Sequence, residues 1–184
     1  YGDTDSVVLV LGDKKREDIF HFLEGVNKEL PSLMEVELED FYTRGIFVMK
    51  KSEEKGAKKK YALLSEKGDI KVVGFETIRR DWSYIAKEVQ KRVLEILLKE
   101  NSVEQAFQYV KEIIQEVKEE RIPKEKMIIQ TQLKKKLSSY DLVGPHVSVA
   151  KRMGELGEHI GPGSIIKYIV TKGKGLVRDK AKTP

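Results

Sequence analysis

Tyr1-Gly2-Asp3-Thr4-Asp5-Ser6-Val7-Val8-Leu9-Val10-Leu11 opens the chain, and its two halves read differently. Residues 6–11 form a continuous apolar, largely β-branched run, the pattern of a strand buried on both faces. Immediately before it stand two aspartates two residues apart, Asp3 and Asp5, whose carboxylates face the same way in extended backbone. Paired hard oxygens suit Mg²⁺, which keeps several waters and takes one or two carboxylates together with substrate phosphates. A carboxylate pair at the mouth of a strand therefore fits metal-assisted phosphoryl or nucleotidyl transfer. The bare D-x-D pattern is not selective: most such pairs serve as turn or capping residues, and sugar-nucleotide transferases use it too.

Working outward, residues 14–30 carry Ile19, Phe20, Leu23, Val26 and Leu30 at helical spacing, and Pro31 stops the helix. Residues 34–38 alternate apolar and acidic side chains, as a half-buried strand does. Residues 45–49 read as another strand, 50–60 as a polar turn, and 61–64 with 70–73 as a hairpin about Lys67-Gly68-Asp69. Beyond that the character changes. Residues 83–100 place Ile85, Val89, Val93 and Leu97 on one helix face, and residues 102–120 form a second helix. Ser102 with Gln105 fits a capping box, and Asn101 links the two helices as a hairpin. Short strands are expected at 127–129 and 165–170, a short helix at 147–156 ended by Gly157, and a loose polar tail over 172–184. The fold class is α+β, with a strand-rich unit at 1–76 and a helical one at 77–184.

Three further stretches carry chemistry. Lys58-Lys59-Lys60-Tyr61-Ala62 sets cations at the start of a strand; the bland reading is a solvated basic turn. In Gly74-Phe75-Glu76-Thr77-Ile78-Arg79-Arg80-Asp81-Trp82, Arg79 and Arg80 can hold a phosphate in fork geometry. Alternatively, one of them pairs with Asp81 or Glu76 and fixes a junction. Trp82, the sole tryptophan, reads as core packing. Gly144-Pro145-His146-Val147-Ser148-Val149-Ala150-Lys151-Arg152 begins a helix whose first amides can face phosphate. His146, Lys151 and Arg152 are thus candidate contacts to a nucleic-acid backbone.

The opening hexapeptide resembles motif C of the family B DNA polymerases, Y-G-D-T-D-S, without departure. The other three stretches are similar to that family's K-K-[KR]-Y-A, G-x-E-x-x-R-R-D-W and G-P-H-V-x-V-A-x-R segments, in family order, and the archaeal branch fits best. The resemblance implies a partial palm of antiparallel strands with a helix, followed by a mainly helical thumb. It implies that Asp5 is the principal ligand of two Mg²⁺ ions and Asp3 a supporting one, both catalytic, with a further aspartate supplied from an upstream motif. It implies that Lys59 and Lys60 track the minor groove of the primer–template near the primer end, with Tyr61 positioned beside them. Thr4, Lys58, Arg79, Arg80, His146, Lys151 and Arg152 complete the expected DNA contacts. The minor groove presents similar acceptors for every base pair, so such contacts test duplex shape rather than sequence.

Net charge is modest, with 35 Lys+Arg against 30 Asp+Glu, so partner class rests on the distribution of cations rather than on their sum. The absence of Cys excludes disulfides and thiolate metal sites, and the longest apolar run is far too short for a bilayer. The expected location is cytoplasmic, with the nucleoid. The Lys- and Glu-rich composition is of the kind thermophilic proteins use. The family's upstream aspartate, its nucleotide-binding fingers helix and its exonuclease domain do not occur in these residues. The chain is therefore expected to be a piece or one half of a split polymerase, inactive alone. Its expected partners are primer–template DNA, a deoxynucleoside triphosphate, an N-terminal polymerase polypeptide and a sliding clamp, although no clamp motif stands in these residues. Rival readings are a non-catalytic nucleic-acid-binding subunit related to the family, and a D-x-D glycosyltransferase, which leaves the three downstream stretches unexplained.

Overall fold

The computed structural model describes the backbone of residues 1–2, 5–49 and 56–184, and their side chains other than those of 49, 56–58 and 78. The chain divides into two compact units, Tyr1–Val73 and Gly74–Pro184. Its class is α+β, with small antiparallel sheets. Among the described residues no helix is long and apolar enough to cross a membrane.

In the first unit, helix α1 (Arg16–Glu29) starts where the Asp18 carboxylate accepts the Lys15 backbone N–H at 2.8 Å, satisfying a donor the helix itself leaves open. Strands β1 (Tyr42–Met49), β2 (Gly56–Ser65) and β3 (Ile70–Val73) form one antiparallel sheet in that order. Tyr61, Ala62 and Leu63 of β2 are its buried centre. Gly45 lies opposite Leu63, and a Cβ there would come within 2.8 Å of a Leu63 methyl and 3.0 Å of the Phe47 ring, so a larger residue would require those side chains to shift. The β2–β3 turn needs Gly68 at φ +88°, and Ser65 closes it by donating its N–H to the Asp69 carbonyl at 2.8 Å. Arg16 ties α1 to this sheet through an ion pair with Glu66 and by lying 4.7 Å over the Phe41 ring.

Two expected strands of this unit are not formed. Residues 6–11 make one bridge, Gly2 to Val7, and Val10 is 96% exposed. A doubly buried strand needs a ladder and cover on both faces, and among the described residues these six have one bridge, with Val7, Leu9 and Val10 exposed. Residues 34–38 are also irregular and exposed. Val36 there gives its N–H to the Asn27 side-chain oxygen (2.8 Å) and takes the Asn27 amide on its carbonyl (3.0 Å), so a helix side chain replaces a ladder partner. Of the polar turn expected at 50–60, residues 50–55 lie outside the described residues.

In the second unit, α2 (Tyr84–Glu95) runs into a π-helical turn, Ile96–Glu100, that ends on Asn101 in the left-handed region. Ser102 caps α3 (Val103–Lys118), its hydroxyl accepting the Gln105 N–H at 3.1 Å. The periodicity of 85, 89, 93 and 97 does not carry through to the end. Ile85, Leu94, Ile96 and Leu98 are buried instead, while Val89, Val93 and Leu97 are half-buried. The wider i→i+5 turn shifts the inward face.

A single helical turn, α4 (Lys124–Met127), precedes β4 (Ile129–Gln132), where a strand is expected at 127–129. Strand β5 (Ile165–Val170) pairs with β4 and with β6 (Ala181–Lys182), and α5 (Pro145–Glu155) packs on this sheet. Leu133, Val147, Val149, Ala150, Ile166, Tyr168 and Ala181 form the core between them. The tail expected to be loose is therefore partly built in. It forms α6 (Val177–Lys180) and β6, with Ala181 fully buried, because an antiparallel partner and an apolar face await it.

Candidate nucleic-acid interface

Of the expected metal ligands and their neighbour, Asp3 and Thr4 lie outside the described residues, and Asp5 is exposed. Two carboxylates supply the hard oxygen donors a divalent ion takes. Among the described residues no group of three or more His, Asp or Glu side chains gathers to hold one.

Tyr1 is the best-defined part of this first site. Its ring packs on Phe47 of β1 and Tyr61 of β2, with centroids 5.2 and 5.3 Å away, and the latter two stack at 5.7 Å. Its hydroxyl accepts the backbone N–H of Lys59 at 2.7 Å. There β2 carries extra residues relative to β1: the register passes from Phe47 opposite Tyr61 to Met49 opposite Gly56. Lys59 itself sits at φ +56°, a conformation that costs a non-glycine residue about 1 kcal/mol or more. The lysine run is thus a bulge held by the tyrosine. Lys59 is exposed and Lys60 half-buried, and the Lys58 side chain lies outside the described residues. Tyr61 is 5% exposed, its ring packed against those of Tyr1 and Phe47.

In the second unit, Arg79 forks onto Asp81, Nε to Oδ1 at 2.9 Å and Nη2 to Oδ2 at 2.6 Å. That hydrogen-bonded guanidinium holds the Asp81 carboxyl below its usual range. Arg80 is exposed. Gln90 of α2 braces the same turn, donating to Glu76 at 2.8 Å and accepting the Thr77 N–H at 2.9 Å. Trp82, expected in the core, is 42% exposed: the residues at 79–83 run over the surface before α2 starts.

His146 lies in the first turn of α5, half-buried and edge-on to the Tyr140 ring at 6.0 Å. Burial pushes its pKa down, favouring the neutral imidazole. Lys151 is exposed. Arg152 gives hydrogen bonds to the Ala181 carbonyl and, at 3.4 Å, to the Ser148 hydroxyl, so one cation of the expected backbone contacts also secures β6.

A second lysine run, Lys134-Lys135-Lys136, matches none of the four motif stretches, and the structure brings it forward. The Tyr140 hydroxyl accepts the backbone N–H of Lys134 at 2.9 Å and of Lys135 at 3.3 Å. The signal in the sequence is three lysines between Leu133 and Leu137, apolar residues that anchor a turn on both sides.

The motif spellings and the two tyrosine-held lysine runs meet a consistent similarity. The chain belongs to DNA polymerase family B, whose family model matches residues 1–184. It is 44% identical over 182 residues to a DNA polymerase of Thermococcus aggregans, covering 97% of this chain and 10% of that protein. It is 43% identical over 185 residues to a DNA polymerase of Thermococcus sp. (strain 9oN-7), covering 98% of this chain and 23% of the relative. The solved family B DNA polymerase of the hyperthermophilic archaeon Pyrobaculum calidifontis superposes with a TM-score of 0.67 at 31% identity, over 92% of this chain and 21% of the other. The chain thus spans between 10% and 23% of the length of these curated relatives.

Proposed function

We propose that the chain supplies carboxylates of the catalytic centre and part of the duplex grip of a DNA-directed DNA polymerase, acting with the further polypeptide that its relatives carry. In this reading residues 1–76 are the end of the palm and 77–184 the thumb. What supports it is one observation above others. The Tyr1 of Y-G-D-T-D-S and the lysine bulge of K-K-K-Y-A, 58 residues apart, share a hydrogen bond of 2.7 Å.

The roles of this chain's residues follow. Asp5, with Asp3, would hold divalent ions on its exposed carboxylate. Bound there, such an ion favours the ionised primer hydroxyl and offsets charge on the leaving pyrophosphate. Lys59 and Lys60 would seat the primer–template by replacing condensed counterions, an affinity that does not depend on sequence. Arg80, His146 and Lys151 would add backbone contacts, while Arg79 and Arg152 contribute with donors left over from their internal partners. A deoxynucleoside triphosphate is the second substrate.

Primer extension with Mg²⁺ tests the reading, using the chain alone and mixed with the N-terminal polypeptide of an archaeal relative. Extension is expected only in the mixture, and Asp5→Ala should abolish it with duplex binding retained. Extension by the chain alone would overturn the dependence on a second polypeptide. Duplex binding without extension in the mixture would favour a non-catalytic nucleic-acid-binding subunit.

A further inference from the structure

We propose that Tyr1 is a positioning residue whose hydroxyl sets the lysine bulge to discriminate a correctly paired primer end from a mispaired one. The inference rests on the reading of Lys59 and Lys60 as contacts to the primer–template, and deepens it by naming the group that presets their geometry.

Tyr1 is held through its backbone, its ring and its hydroxyl. Its carbonyl accepts the Val8 backbone N–H at 2.7 Å, beside the Gly2–Val7 bridge, so its backbone closes the segment in which Asp5 stands. Its ring lies against Phe47 at 5.2 Å and Tyr61 at 5.3 Å between centroids. Tyr61 belongs to the buried centre of the sheet with Ala62 and Leu63, the residues that directly follow the lysines. Packing therefore aims the ring, and the hydroxyl is a fixed point to which the bulge is set. That hydroxyl accepts the Lys59 backbone N–H at 2.7 Å.

The bulge needs such a fixed point. Lys59 stands at φ +56°, where any residue with a Cβ is strained. Regular pairing does not impose this conformation: between the pairs Phe47–Tyr61 and Met49–Gly56, β2 carries more residues than β1, so the register slips there. The hydrogen bond to Tyr1 offsets the strain. Without it the backbone of Lys59 relaxes to negative φ and carries its exposed side chain in another direction.

Every correct base pair presents minor-groove acceptors at similar positions, and a mispair displaces them. A bulge held in one conformation gains contacts from the first and not from the second. A bulge free to relax adapts to both and tells them apart less well. The same tyrosine joins the bulge to the segment of Asp5, so a bulge displaced by a mispaired end is felt at the carboxylate assigned to the metal.

The test compares binding of the 184-residue chain to two primer–templates that differ only in a paired or mispaired primer terminus, with Tyr1→Phe as the variant. Phenylalanine keeps the ring beside Phe47 and Tyr61 and removes only the acceptor. Affinity for the paired end should fall between about two- and tenfold, the worth of one hydrogen bond, while affinity for the mispaired end holds. The ratio of the two affinities falls by the same factor. In the mixture with the N-terminal polypeptide, extension of the mispaired end relative to the paired one should rise to a similar extent. Hydrogen exchange at the Lys59 amide should quicken by about tenfold or more. Equal losses for both duplexes would make Tyr1 a structural residue only and overturn the proposal, as would an unchanged exchange rate at Lys59. Equal binding of the two duplexes by the unsubstituted chain would overturn it too. An unchanged ratio in Tyr1→Phe, while Lys59→Ala with Lys60→Ala weakens binding, would overturn this inference and leave the lysine contacts standing. If the lysine variant also binds as before, both readings fall together.

Discussion

The Arg79 guanidinium closes a two-point fork on the carboxylate of Asp81, two residues further along, at 2.9 and 2.6 Å. An arginine adjacent to the second unit's first helix thus has an internal anion where a phosphate could otherwise sit. Both side chains are about half exposed, so the pair is weak as a source of stability and important as a competitor for ligand. Asp81→Asn should free the fork. Duplex affinity is expected to rise, and the salt slope to steepen by about 0.9, the value for one further phosphate neutralised. Unchanged binding would mean that Arg79 only shapes the turn. Because the guanidinium holds the Asp81 carboxyl below its usual range, the pair persists through mildly acid pH and opens only as pH falls through that lowered value.

His146 predicts a pH dependence of the opposite kind to that of a salt-bridged histidine. Its burial favours the neutral ring, so the folded state binds fewer protons than the unfolded chain just below the ordinary value of 6.5. Stability of the second unit is therefore complete above that value and declines as pH falls from it through the lowered folded pKa. His146→Asn should flatten this part of the profile, as read by thermal melts between pH 7.5 and about 5. A profile identical to that of the unsubstituted chain would refute the assignment.

Leu133 joins the sheet to the turn that carries Lys134, and it is fully buried among Val147, Val149 and Ile166. Leu133→Ala should cost about 2–5 kcal/mol from reduced burial and the cavity left behind. The tail is tested by Ala181→Asp, which places a charge at a fully buried site. It should cost about 3 kcal/mol and expose residues 171–184 to protease. Chemical denaturation measures the first effect and limited proteolysis the second.

Asn101 ends the π-helical turn at φ +54° and ψ +35°, where asparagine is tolerated and most side chains are strained. Asn101→Ala should destabilise the second unit by about 1 kcal/mol, and Asn101→Gly by less. The order of the two melting temperatures is the measurement. Alanine melting above glycine would show that the left-handed geometry is not what the link requires.

By itself the sequence determined the elements whose signals are local. Apolar spacing marks α1, α2, α3 and α5, the Lys67-Gly68-Asp69 turn marks the β2–β3 hairpin, and Ser102 marks the start of α3. It also determined the family, because four stretches with particular spellings occur in one order, and the family model matches the whole chain. Other features depended on partners far away in the chain, which periodicity cannot report. Residues 6–11 have a strand's composition, yet a strand also needs a ladder. Residues 34–38 alternate correctly, yet Asn27 takes their backbone. The polar tail reads as loose until β5 and the core offer Ala181 a place. Arg79 could face a phosphate or Asp81, and only geometry decided that it forks onto the carboxylate. Only the tertiary structure brought a tyrosine hydroxyl to each lysine run. The hydrogen bond from Lys59 to Tyr1 spans 58 residues, and nothing in either segment alone specifies the other end.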